Sequence, residues 1–250
     1  MLDYFFPNLS KRNLSDKEQL ELADADLDRL DRLRRTIRQF KIINTLLSGS
    51  RRLLREHFFS IMEQDPDREY TLLDVGAGGC DIAVWAACEA RRRGLKLTIT
   101  ALDNNRNSLP VAYLAIRDYP EISIVEGDAR ELNRLGSFDF VFSNHFLHHL
   151  DWDEIRLFLN SILPRTRIKF LMNDLHRSRW AYLGFTLFSG LLTRESFHFD
   201  DGRLSIKRGF LPEELRSFLQ KNFPDRPIKV VATYPARLVL VHSKPIPLRQ

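Results

Sequence analysis

The chain has only two cysteines in 250 residues, Cys80 and Cys88, too few for a disulfide framework or a cysteine-rich zinc site. They read as small buried thiols in a reducing cytoplasm. No run of about 20 apolar residues occurs, so no membrane-spanning helix is expected. Met1 to Ser10 lacks a basic segment followed by an apolar core, so it does not read as a secretory signal. A phosphate-cradling Gly-x-x-x-x-Gly-Lys-Ser/Thr is missing, as are internal repeats and low-complexity tracts. Charge of one sign is in short supply too: 38 Lys and Arg face 33 Asp and Glu, a net +5. Arginines do cluster at Arg32 to Arg35, Arg51-Arg52, Arg91 to Arg93 and Arg165 to Arg167. A nucleic-acid surface is one reading of them. The other is solvated helix faces and helix C-termini, where cations complement the dipole; it fits Arg91 to Arg93, which precede the helix-stopping Gly94. No nucleic-acid partner is therefore expected.

What is present starts at Leu72-Leu73-Asp74-Val75-Gly76-Ala77-Gly78-Gly79-Cys80-Asp81. An apolar run breaks into glycines and a helical pattern follows over residues 82–93, the strand–turn–helix that opens a nucleotide-binding α/β unit. Glycine lets the backbone turn tightly and lie against a ligand, and the first N–H groups of the next helix face that ligand. Counting Gly-x-Gly-x-x-Gly from Gly76 puts Asp81 where a dinucleotide loop needs its third glycine. A carboxylate there suits a pyrophosphate poorly. With Asp74 just before the turn, the loop instead suits a ligand carrying positive charge, such as a cationic adenosyl compound.

Around this motif, strands are predicted over 71–75, 97–102, 122–125, 138–142 and 168–172, with helical patterns over 109–118 and 153–162. Such alternation argues for a parallel sheet covered on both faces, with ligands outside the carboxyl ends of its strands. Residues 1–66 form a separate stretch. Leu20, Leu27, Leu30, Ile37, Ile42, Leu46, Leu53 and Leu54 recur there at helical spacing, and Ser15-Asp16-Lys17-Glu18 reads as a capping box. A helix over 211–223 and two late strands, 228–232 and 238–242, end the pattern.

Four motifs in order carry a family resemblance. They are Asp74-Val75-Gly76-Ala77-Gly78-Gly79, a strand ending in Asp103-Asn104-Asn105, Ile124-Val125-Glu126-Gly127-Asp128-Ala129, and Phe138 to Asn144 running into Phe146-Leu147-His148-His149-Leu150. On these, residues 70–172 resemble the class I S-adenosylmethionine-dependent methyltransferases. The resemblance departs at Cys80, where the family often has a third glycine and a small residue is expected to be tolerated. It implies a Rossmann-like α/β fold: a mostly parallel seven-stranded sheet with helices on both faces, closed by an antiparallel hairpin. The domains implied are an N-terminal helical lid at 1–66 and a methyltransferase domain at 67–250 with a lid insertion at 173–210. A looser likeness of Asn173 to Arg177 and Arg208-Gly209-Phe210 is to bacterial quinone-type and polyketide-type small-molecule methyltransferases.

The resemblance also implies roles for residues toward S-adenosyl-L-methionine. Gly76, Ala77 and Gly78 form the loop, Asp103 with Asn104 holds the ribose hydroxyls, and Asp128 with the Ala129 N–H takes the adenine. Asp74 faces the amino group, with backbone contacts from Ser143 and Asn144. Strand-end capping is the plainer reading of Asp103, and a turn residue that of Asp128. His148 and His149 are candidates for the general base, since imidazole titrates near neutral pH, or they simply pack at the start of a helix. His176 and His198 are alternatives. No metal is expected, because His-His stands where related quinone-pathway enzymes often carry Glu-His. Trp180, Tyr182, Phe185 and Phe188 either pack or form a lid over a small lipophilic acceptor, some of them lining its pocket. Membrane-surface contact, and monomer or homodimer, stay open. The rival functions are an RNA or protein methyltransferase and a non-catalytic cofactor-binding module.

Overall fold

A computed structural model describes residues 7–15, 48–192 and 198–244. The helices expected between residues 16 and 47, with their capping box and the Arg32 to Arg35 run, lie outside these.

Seven strands form one sheet in the order β3-β2-β1-β4-β5-β7-β6. They are β1 (Glu69–Val75), β2 (Lys96–Asp103), β3 (Ile122–Glu126), β4 (Phe138–Asn144), β5 (Thr166–Leu175), β6 (Ile228–Thr233) and β7 (Arg237–Ser243). The first five run parallel, and β7 pairs antiparallel with both β5 and β6. The seven-stranded α/β architecture expected from the resemblance is thus the one observed.

Successive side chains on a strand point to opposite faces, and this alternation divides the core in two. Leu72, Ile99, Phe140 and Phe142 belong to one cluster, Leu73, Val75 and Val141 to the other. Because both faces are covered, β4 reads as an almost unbroken apolar run, buried from Phe138 through Ser143. Asp139 is the polar exception. It lies at the end of β4 remote from the cavity and accepts from Arg68 and from the Thr71 N–H and hydroxyl, tying β4 to the start of β1.

Helix α1 runs Ser50–Leu54, passes through a π turn at Arg55–Phe59 and ends with Ser60–Met62. It buries Leu53, Leu54, Phe58, Phe59 and Met62 in the first cluster. Phe58 stacks on Phe140 with ring centroids 4.5 Å apart. This part of the N-terminal 66 residues is therefore a layer of the core. Helix α2 (Asp81–Arg93) ends at Gly94, whose φ of 68° is the left-handed stop glycine favours. Its terminal arginines are engaged: Arg91 with Glu121, Arg92 with Glu89, and Arg93 with Glu89 and Glu63. That is the solvated helix end anticipated for them. Next come α3 (Leu109–Ile116) and α4 (Trp152–Ile162), the latter opened by a capping box in which Asp151 and Glu154 exchange bonds of 2.8 and 2.9 Å. Then α5 (Arg179–Leu192) and α6 (His198–Arg208) build the insertion, and α7 (Pro212–Asn222) precedes the hairpin. Among the described residues no helix is long and apolar enough to cross a membrane.

If α1 is core rather than detachable lid, Phe58→Ala removes a stacked, 2 % exposed ring. It should lower unfolding free energy by about 3–5 kcal/mol in urea titrations; a loss under about 1 kcal/mol would make α1 a dispensable cover.

Candidate active site

The strand order reverses between β1 and β4, and a crevice opens beyond their carboxyl ends, where open α/β sheets bind ligands. There the structure has a cavity of about 990 Å³ lined by Asp74, Gly76 to Gly79, Asp81, Asp103 to Asn105, Asp128 to Arg130, Asn144 to Phe146 and His148 to Leu150.

The glycine turn forms its floor. The Gly76 and Ala77 N–H groups both donate to the Leu102 carbonyl, at 2.8 and 3.1 Å, docking the turn on the end of β2. Gly76 has φ 69°, and a Cβ there would sit 2.9 Å from the Phe146 ring. Gly78 has φ 51°, and a Cβ there would meet nothing within 4 Å, so its bare face looks onto open cavity. Cys80 has φ 60°, and its thiol is buried with a raised pKa. Backbone conformation, and not side-chain volume, is thus what the family's glycine serves there, at about 1–2 kcal/mol for a residue with a Cβ.

Asp103 is held by two backbone donors, Gly78 N–H to Oδ2 and Asn105 N–H to Oδ1, both 2.7 Å. Each carboxylate oxygen keeps a second lone pair. Asp74 is 3 % exposed. Burial raises its carboxyl well above the usual range, and the charges of Asp81 and Asp103 push the same way. A cavity wall in this state favours a cation. Asp128 also lines the cavity, and its Oδ1 accepts from the Arg130 N–H at 2.8 Å, as a turn residue does. The Arg130 side chain grips the same carboxylate and, by its hydrogen bond, holds the carboxyl below the usual range. Asn144 and Ala129 line the cavity, whereas the buried Ser143 is outside its lining and directs its hydroxyl to Met172 Sδ at 2.9 Å.

At the other end, His148 and His149 follow β4 in a short 3₁₀ turn. The His148 Nδ1 lies 2.7 Å from Asp174 Oδ1, at the end of β5, and both side chains are buried. Burial works to raise the Asp174 carboxyl, but His148, His145 and the Leu175 N–H outweigh it and hold it well below the usual range. An ionised carboxylate only accepts, so Nδ1 carries a His148 proton, and in the neutral imidazole the lone pair is on Nε2. His149 is arranged the other way round. Arg208 Nη1 lies 3.3 Å from its Nδ1, and a guanidinium only donates, so the His149 lone pair is on Nδ1. His145, also on the cavity wall, sits at φ 60° and accepts from Arg237 through Nε2; burial, with Arg237, keeps its pKa well below the ordinary value.

His176 bridges to Phe210 and is outside the cavity lining; the His198 side chain is not among those described. Of the aromatics expected to line a pocket, Trp180 is exposed, Tyr182 is buried against Arg203, and neither they nor Phe185 line the cavity. Phe188 is beyond the described side chains. From the insertion, Ser205 reaches the lining instead, while Tyr182 accepts from Arg203 of α6. His145 and Arg130 have no place in the sequence reading, and Asp174 and Arg208 enter it only within the two stretches of looser family likeness, without a role.

Residues 73–163 match the family model described as a methyltransferase domain. No curated protein matches the chain. Among solved structures, the plantazolicin methyltransferase BamL, in complex with a triazolic desmethylPZN analog and SAH, aligns at TM-score 0.60 and 15 % identity over 86 % of this chain and 76 % of its own. The plantazolicin methyltransferase BpumL aligns at 0.60 and 14 %, over 90 % and 98 %. An O-methyltransferase family protein from Burkholderia thailandensis aligns at 0.55 and 13 %, over 97 % and 67 %. At these identities the likeness to the solved structures is one of fold, and it agrees with the four-motif resemblance.

Asp74 supplies a test of the carboxylate cluster. Its folded pKa is raised, so its contribution to stability is intact below the unfolded value of about 3.9 and is lost as pH rises through the folded value. Asp74→Asn should therefore stabilise the ligand-free protein at pH 7 and lose that advantage near pH 4 in urea titrations. An equal effect at both pH values would contradict the raised carboxyl.

Proposed function

Residues 73–163 match the methyltransferase-domain family model and lie within a seven-stranded α/β sheet, and from that premise we propose that the chain is an S-adenosylmethionine-dependent methyltransferase of small lipophilic acceptors. The acceptor atom is an oxygen, or an activated ring carbon, of a phenol or quinone-like metabolite. The observation that carries this reading is the cavity wall of Asp74, Asp81 and Asp103 around a bare glycine turn.

The residues present fit the cofactor. Gly78 leaves open the space a Cβ would fill, and the raised Asp74 carboxyl favours a cationic ligand. When bound, S-adenosylmethionine supplies a methyl group on a sulfonium, open to in-line displacement. Asp103 would hold the ribose hydroxyls with the lone pairs its two N–H contacts leave, beside Asn104. Asp128 and the Ala129 N–H would take the adenine. Asp74, the Gly76 to Gly78 backbone and Asn144 would hold the amino acid part, with Ser143 able to help only through its backbone.

On the acceptor side, His148 is the better placed base. Asp174 fixes its tautomer, leaves Nε2 to accept the hydroxyl proton, and would stabilise the imidazolium that results. The Nδ1 lone pair of His149 is spent on Arg208. Phe146 and Leu150 add apolar wall, and holding the acceptor in line supplies much of the acceleration. The engagement of Arg91 to Arg93 by glutamates weighs against the rival that uses basic clusters to bind RNA.

Calorimetric titration with S-adenosylhomocysteine, with NAD as control, tests the cofactor. Micromolar binding abolished by Asp103→Ala supports the reading; no binding, or a preference for NAD, removes it. With a phenolic acceptor panel, His148→Ala should then cut turnover by about 10²–10⁴ and His149→Ala far less, both leaving S-adenosylhomocysteine affinity unchanged. Binding without turnover of any acceptor would favour the non-catalytic module, and full turnover in His148→Ala would sink the base assignment.

A further inference from the structure

Residues 7–15 cross the acceptor end of the cavity as a strap. The Leu9 carbonyl accepts from Arg177 Nε at 3.0 Å, and the Asn13 N–H donates to the Lys207 carbonyl at 3.2 Å. Between them, Arg12 reaches inward. Its Nη2 donates to the carbonyls of His148 and Leu150, at 3.1 and 2.9 Å, and its Nε to the carbonyl of Arg208 at 2.8 Å. The guanidinium lies over the Phe210 ring at 4.2 Å and the Trp152 ring at 5.1 Å.

One side chain therefore joins three stretches remote in sequence: the strap, the turn that carries both histidines, and the end of α6. The carbonyls it binds close a short 3₁₀ turn, where backbone acceptors lack partners within the turn. The same α6 residue whose carbonyl Arg12 holds, Arg208, sends its own guanidinium to His149. A planar fork with several fixed donors holds carbonyls on two chain segments in one fixed geometry, which a lysine's flexible point charge does not. Burial lowers the Arg12 pKa to about 10, so the side chain stays a cation at neutral pH. Every contact is on the acceptor side; Arg12 has none with the glycine turn, Asp103 or Asp128.

We propose that Arg12 is a positioning residue: through it the N-terminal strap sets the His148–Leu150 turn against the insertion and so shapes the acceptor end, while the cofactor end is built without it. That purpose rests on the function proposed above, but the clamp can be read without any ligand.

The test uses the full chain, with Arg12→Met and Arg12→Lys, and hydrogen exchange followed by mass spectrometry on the ligand-free protein. Arg12→Met should speed exchange roughly tenfold or more over residues 146–152 and 203–210, and leave 76–81 as in the parent. In protein labelled with ¹⁵N-histidine, the His148 and His149 ring signals should move, which a remote structural staple would not cause. Arg12→Lys keeps the charge but not the fork, and should loosen the same two regions. The proposal is overturned by unchanged exchange at 146–152, by loosening that extends equally to 76–81, or by a lysine variant that behaves as the parent. Should Arg12→Met fail to fold, the lysine variant alone decides. Failure of the parent to bind S-adenosylhomocysteine would count against the methyltransferase reading and leave this clamp standing.

Discussion

The site depends on one docking contact, the glycine turn against the end of β2. Two N–H groups of the turn converge on the Leu102 carbonyl, and the next free one, on Gly78, goes to Asp103. This makes the ends of β1 and β2 one rigid ledge. It also fixes Asp103 from two sides before any ligand arrives, which is what preorganisation requires of a polar group in a cavity. The left-handed backbone at 76, 78 and 80 is the conformational condition for that ledge. Cys80 meets the condition with a Cβ in place, so local strain is accepted there in return for a buried side chain in the core.

Sequence patterns anticipated the scaffold well for a physical reason. Parallel strands covered on both faces are largely apolar, and β1, β4 and β5 carry such runs, whereas β2 alternates. The cofactor end was legible because its residues lie at the ends of four consecutive strands, each marked by a short motif of its own. The acceptor end was not. Asp174 meets His148 only because β4 and β5 are neighbours, with Asn144 opposite Asn173 in the register. His145 is left-handed without being glycine, and Arg12, next to Lys11, is one charge among several in the N-terminal stretch. None of these leaves a local periodicity. The expectation that aromatics of the insertion line the pocket failed for a related reason: at helical spacing, position alone does not say which face of α5 meets the cavity.

The histidines show how second partners separate residues that a sequence leaves equivalent. Adjacent in the chain, with ring centroids 4.2 Å apart, His148 and His149 are indistinguishable by spacing or type. A carboxylate behind one and a guanidinium behind the other assign opposite tautomers. The difference is one of hydrogen-bond capacity, an acceptor-only group against a donor-only group, and it does not depend on any fine detail of distance.

The same division extends across the whole cavity. Carboxylates cluster at the glycine turn, where Asp74 is buried at a cost that a bound cation would relieve. Guanidinium groups cluster behind the histidines, where Arg208 and Arg237 are buried and Arg12 is half-buried, with Asp174 among them. Positive charge on a ligand is favoured at the first end, and negative charge at the second. Opposed fields at the two ends of one cavity suit a reaction in which a cation and an incipient anion neutralise each other. They suit much less well a module that only stores a cofactor, because such a module gains nothing from buried arginines beyond the cofactor's reach. The unfavourable burial of charge at both ends is thus most simply understood as one arrangement, a cavity polarised from the glycine turn to the histidines.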